Sequence, residues 1–161
     1  MKTAFVIVLF FAVSGLTYHI CHELFHIIAG RICGLSLISV KWFSFHGGTK
    51  VTFRGEEDII NSNEVPRSWL IMSLAGIIGT TLMSYIFVLV YLLLPVGYVK
   101  LLFWVLSATF LISDPGYSVL CSLSGTGDLY LISRRFNNSI LIKIISVTVL
   151  AADLIVFIII T

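Results

Sequence analysis

The residues able to do chemistry crowd into one short stretch. His19, His22, Glu23 and His26 fall within eight residues and include three of the chain's four histidines. On a helix, positions i and i+4 lie one turn apart on one face, so His22 and His26 can reach a single metal ion. Two neutral imidazoles suit Zn²⁺, and a third protein ligand leaves the fourth tetrahedral position for water. Glu23, beside the first histidine, can take a proton from that water. Zinc lowers the water's pKa toward neutrality and polarises a carbonyl, so the set predicts a hydrolytic centre with one zinc per chain. An accidental HExxH match in a chain of this composition has a chance of roughly 0.2%. Histidines acting only as polar glue between helices would need no glutamate beside them.

His19 precedes His22 by about one turn, on nearly the same face. It is an alternative ligand, a partner behind a ligand, or a polar neighbour facing the cavity, and the last reading fits best. His46, beside a Gly-Gly pair, reads as a loop histidine.

The elements that must carry these residues are apolar. The chain has 161 residues, of which 58% are hydrophobic and 11% charged, against about 45–50% and about 25% in soluble domains. A soluble enzyme, a disordered tail and a secreted disulfide scaffold are poor fits. Cys21, Cys33 and Cys121 are odd in number and lie in apolar surroundings, so they imply no disulfide framework. The net charge of +2, without a basic cluster, gives no sign of nucleic acid as a partner.

Four stretches are long and apolar enough to cross a bilayer, at about 3–34, 69–94, 101–123 and 140–160. The expected fold is therefore an all-α polytopic membrane protein, one domain over 1–161. Lys2, the apolar run after it and Ser14-Gly15 resemble a signal peptide, but the apolar character continues well beyond, which favours an uncleaved span. Between the first two spans, two β-rich runs flank Gly47-Gly48 and predict a hairpin over about 39–54. Glu56-Glu57-Asp58 and the Asn-Ser-Asn after them read as a solvated loop ending at Pro66.

Lys and Arg counts orient the spans. Lys2 and Lys100 lie on one side; Arg31, Lys41, Lys50, Arg54, Arg67, Arg134, Arg135 and Lys143 lie on the other. The second side is then cytoplasmic, with both termini outside. His22 and His26 fall in the cytoplasmic half of their span, and so does Asp114 in the third. Asp128 lies just past that span on the same side, whereas Asp153 sits toward the opposite face. Asn137-Asn138-Ser139, a glycosylation sequon, would face the cytoplasm.

At this point the chain resembles the site-2 proteases, which are intramembrane zinc metalloproteases. The match is His22-Glu23-Leu24-Phe25-His26 with Gly30 and Gly34 after it, similar to the family's HELGH helix. Phe25 stands where glycine is common, a departure that would narrow the cavity. The glycine-containing hairpin is also similar. So is Ser73-Leu74-Ala75-Gly76-Ile77-Ile78-Gly79, which looks like the family's AGP segment without its proline and whose small residues let helices approach closely. The family's late Asn-Pro stretch and Leu-Asp-Gly are absent. Ser113-Asp114-Pro115-Gly116 and Ser122-Leu123-Ser124-Gly125-Thr126-Gly127-Asp128-Leu129 stand there instead, more like small divergent members of the superfamily.

Two carboxylates compete to be the third ligand. Depth favours Asp114, since Pro115-Gly116 would break the helix and turn the carboxylate inward. Context favours Asp128. Gly125-Thr126-Gly127 permits an irregular backbone that returns Asp128 to the metal, and non-helical backbone is tolerated at depth when it lines a polar cavity. Asp128 also resembles the family's metal-binding aspartate at the start of its helix. Asp128 is the expected ligand, with Asp114 lining the cavity.

The resemblance implies an endopeptidase that cuts in or near the transmembrane segment of another membrane protein, in the cell membrane, with its site toward the cytoplasm. The hairpin would hold an unwound substrate segment as an added strand. The alternative is a non-catalytic metal-binding membrane protein of the same fold, which would not need Glu23. A haem protein is the weakest reading, because two histidines at i and i+4 cannot clasp opposite faces of one haem.

Overall fold

A computed structural model describes residues 2–44, 48–62, 64–124, 127–136 and 139–160. In chain order the elements are α1 (Lys2–Ile32), β1 (Leu37–Ser44), β2 (Gly48–Phe53), α2 (Glu56–Asn61), α3 (Arg67–Leu93), α4 (Tyr98–Ser124), α5 (Asp128–Phe136) and α6 (Ser139–Ile160). Four of the helices are long and apolar enough to cross a membrane, over Ala4–Ile32, Arg67–Leu93, Tyr98–Cys121 and Ile142–Ile159. The fold is that of an all-α polytopic membrane protein with one antiparallel hairpin between its first two spans. His46, Gly47 of the turn pair, Gly125-Thr126 and Asn137-Asn138 of the sequon lie outside the described residues.

Helix α1 stops where glycine permits it. Gly34 takes φ +77°, Leu35 N–H donates to the Gly30 carbonyl at 2.8 Å and Gly34 N–H to that of Arg31 at 3.0 Å. This capping arrangement satisfies carbonyls that a helix end would otherwise leave open. The hairpin follows at once, pairing Val40 with Val51 and Lys41 with Lys50; the register shifts between Leu37 and Ser39.

Two sequence expectations need correction. Glu56-Glu57-Asp58 do not form a loop: they open the short helix α2, where all three acidic residues occupy the first turn. Negative charge there is favoured by the positive end of the helix dipole, and position outweighs the polar composition that suggested coil. Pro115 does not break its span either, for α4 runs unbroken through it. Proline removes one backbone donor, a loss that a membrane helix packed among neighbours tolerates.

Among the described residues, three clusters hold the bundle. Tyr18, Leu106 and Phe110 join α1 to α4, with Met83 and Phe87 of α3 against them. Phe53, Val65, Trp69 and Met72 clamp the hairpin onto the start of α3. Leu129, Ile132 and Ile142 tie α5 and α6 to Leu70, Leu74 and Ile77 of α3. Outward positions such as Ile28, Leu82, Leu89 and Ile155 are exposed and apolar, as surfaces meeting lipid require. Inside, Ser84, Ser107 and Ser146 are buried and donate to backbone carbonyls of their own helices, so their hydroxyls carry little cost there.

Candidate metal centre

The periodicity of α1 brings His22 and His26 together, and α5 delivers Asp128 to them. His22 Nε2 lies 3.1 Å from His26 Nε2 and 3.2 Å from Asp128 Oδ2. The third side of the triangle, His26 Nε2 to Asp128 Oδ2, is 3.3 Å. These three residues form a group that could hold a metal ion. Donors about 2.0–2.1 Å from a tetrahedral ion stand about 3.3–3.4 Å apart, close to all three distances. Pairwise hydrogen bonding explains the triangle less well. Each Nε2 offers one in-plane lone pair or one proton, so it cannot serve two partners at once. A central cation lets all three point at one place.

The distal side of each ring sets its tautomer. His26 Nδ1 lies 2.7 Å from the carbonyl oxygen of Met72. That oxygen can only accept, so Nδ1 carries the proton and Nε2 keeps its lone pair. His22 Nδ1 faces Asp114 Oδ1 at 3.4 Å, an electrostatic contact longer than a formed hydrogen bond. It has no hydrogen-bond partner among the described residues. Asp128 lies outside the spans; burial pushes its carboxyl up, but hydrogen bonds and charge from His22 and His26 overcome this and hold it below the usual carboxylate range.

Glu23 is buried beside His22, and Thr49 of β2 donates to its Oε1 at 3.0 Å. Both line a cavity of about 890 Å³, whose walls come from α1, β2, α2, α3, α4 and α5. His19 lines the same cavity with an exposed ring, edge-on to Tyr18 at 5.3 Å, and is not one of the three converging donors. Tyr117 packs its ring edge against His22 at 5.9 Å. Lys50 pairs with Glu56 at 3.1 Å on the cavity wall.

Asp114 is not on that wall. It is 1% exposed and sits behind His22, on the side away from the three donors. Because α4 stays helical, its neighbours Ser113, Gly116 and Tyr117 face the cavity instead. Tyr18 OH donates to Asp114 Oδ1 at 2.6 Å, and the Thr80 hydroxyl donates to Oδ2. Asp153 is buried elsewhere, accepting from Tyr85 OH at 2.8 Å.

The small residues of α3 have a specific task. A Cβ at Gly76 would overlap the His26 ring and come within 2.9 Å of His22 Cε1; one at Gly79 would overlap the Phe25 ring. Phe25 therefore does not narrow the cavity as the sequence suggested: its bulk fills the space that Gly79 leaves open, away from the cavity walls. Gly76→Ala should displace His26 from its bond to Met72, weakening metal binding about tenfold or more. It should also destabilise the bundle by about 1–3 kcal/mol through overpacking. Gly15→Ala is the control, since a Cβ there meets nothing within 4 Å. Chelator-competition titrations of the two variants, with melting in detergent, check this. Equal affinities would show that the His26 ring can yield.

Sequence reasoning missed Thr49, Tyr18, Thr80, Tyr117 and the Met72 carbonyl. Only Tyr18 carried a signal, lying four residues before His22 and so on its face. No family model, curated protein or solved structure matches the chain.

Proposed function

We propose that this chain is a zinc-dependent intramembrane endopeptidase, a small divergent relative of the site-2 proteases that cuts transmembrane protein substrates in or near the bilayer. The observation that carries the reading is the convergence of His22, His26 and Asp128 beside Glu23, in a large cavity within a bundle of apolar helices. Ionisable groups at such depth are costly and mark sites of function.

His22, His26 and Asp128 would hold the zinc. When bound, zinc supplies Lewis acidity, which makes water a nucleophile near neutral pH and polarises a peptide carbonyl. Glu23 accepts the water's proton and passes it to the leaving amine. Thr49, donating to Oε1, fixes one carboxylate oxygen and leaves the other as the base. A substrate helix must unwind before its carbonyl can approach, and β2, whose Thr49, Val51 and Phe53 line the cavity, suits an extended segment added as a strand. The positive-inside count supports a site that faces the cytoplasmic side of its membrane, which this reading takes to be the cell membrane.

The test is metal content measured alongside cleavage. The purified protein should carry about one zinc per chain, cleave a co-reconstituted membrane-protein substrate, stop on chelation and resume when zinc is returned. A protein that neither contains nor takes up zinc would overturn the reading, as would cleavage that persists under chelation.

A further inference from the structure

We propose that Asp114, clamped by Tyr18 and Thr80, is a positioning residue for the metal centre, fixing His22 as the tautomer whose Nε2 lone pair faces the ion. The inference rests on the metal-binding reading above. It adds a residue on the far side of the ligand, contributed by a helix that supplies none of the three donors.

Three helices meet at this one carboxylate. Tyr18 comes from α1 and Thr80 from α3, each donating to a different oxygen of Asp114 on α4. Tyr18 gives its single proton to Oδ1, whereas the Thr80 hydroxyl, which also lies 2.6 Å from the Gly76 carbonyl oxygen, shares its proton between that oxygen and Oδ2; the two contacts together restrain rotation of the carboxylate. That leaves Oδ1 facing His22 Nδ1 at 3.4 Å. A purely structural knot of Tyr, Thr and Asp would have no reason to face a histidine whose other nitrogen belongs to the donor triangle.

The two histidines can be compared directly. His26 Nδ1 already has the Met72 carbonyl at 2.7 Å. His22 Nδ1 is buried, with no hydrogen-bond partner among the described residues, and the oxygen it faces belongs to Asp114. A proton on Nδ1 is held by that carboxylate once the contact shortens by a few tenths of an ångström. A proton on Nε2 would leave Nδ1 as an acceptor facing a carboxylate, two lone pairs opposed. Asp114 therefore selects the metal-binding tautomer and, as a carboxylate, strengthens the imidazole as a ligand. Partners of this kind contribute about 10–100-fold to metal affinity.

The experiment measures zinc affinity by chelator competition and the His22 ring-nitrogen NMR shifts in histidine-labelled, zinc-free protein, where no bound metal fixes the tautomer. It uses the parent, Asp114→Asn, Asp114→Leu, Tyr18→Phe and Thr80→Val. Asp114→Leu should weaken zinc binding about 10–100-fold and mix the His22 tautomers. Asp114→Asn should fall between it and the parent, because an amide oxygen still accepts from Nδ1–H. Tyr18→Phe and Thr80→Val each loosen the clamp by one hydroxyl and should shift both readouts less, in the same direction. They keep the test alive if the Asp114 variants fail to fold. Lower thermal stability with unchanged zinc affinity and an unchanged His22 tautomer would overturn the proposal, leaving Asp114 a structural residue. A parent that binds no zinc, or zinc that survives in both His22→Ala and His26→Ala, would instead overturn the metal-binding reading beneath it.

Discussion

Glu23→Gln is expected to keep its zinc and to lose hydrolysis by roughly 10²–10⁴-fold, the usual contribution of a general base. The substitution preserves shape and removes only the ability to hold a proton. The substituted side chain can still accept the Thr49 hydroxyl through its amide oxygen, so the contact seen at 3.0 Å is preserved. His22 and His26 keep their places, since they are fixed by the pitch of α1 and by the Met72 and Asp114 contacts on their far sides. Zinc analysis and cleavage must be measured on the same sample. Retained zinc with lost cleavage assigns the base to Glu23. Parent-like cleavage would move the base elsewhere, with His19 the next titratable side chain on the cavity wall. Loss of zinc would make Glu23 a ligand. If the parent binds zinc but cleaves nothing, and Glu23→Gln changes no measured property, the non-catalytic alternative stands.

What could be read from the sequence followed from how local its cause is. The spans depend on runs of apolar residues about as long as a bilayer is thick, so composition alone located them. His22 and His26 share a face because a helix turns about every 3.6 residues, which needs no knowledge of the rest of the fold. The hairpin pairing was likewise written into two β-rich runs and a glycine pair. Asp114 shows where such reasoning ends. Its direction depended on whether α4 breaks at Pro115, and α4 runs on as a helix through that proline. Thr49 was invisible for a similar reason: nothing in a strand residue announces that its hydroxyl meets a glutamate in a helix 26 positions earlier. Phe25 misled in the opposite sense. Read alone it looked like bulk added to a cavity, whereas its meaning lies in Gly79 on another helix.

Asp128→Asn is expected to lose zinc by more than the roughly 10–100-fold assigned to a partner behind a ligand, and to lose cleavage with it. Asp128 stands 106 residues from His22, and the path of the chain into α5 returns it to the two histidines of α1. Gly127 makes the last step of that path. It takes φ +70°, and a Cβ there would lie 2.7 Å from both Cys121 Sγ and the Tyr117 hydroxyl. The backbone passes close over α4 and opens α5 with Asp128 in its first turn. The carboxylate then meets two imidazoles at 3.2 and 3.3 Å. Asparagine can occupy that place, but its neutral amide oxygen carries none of the negative charge that balances a dication, and its NH₂ face repels one. The fold should survive, because Leu129 and Ile132 anchor α5 to α3 without using the carboxylate. Affinity and activity should therefore fall together in a protein that still melts cooperatively. The comparison with Asp114→Asn makes the assignment decisive. A ligand and a positioning residue differ in degree and in kind: loss of the ligand removes the metal, whereas loss of the positioning residue weakens it and disturbs the His22 tautomer. Metal retained by the Asp128 variant and stripped from the Asp114 variant would exchange the two roles.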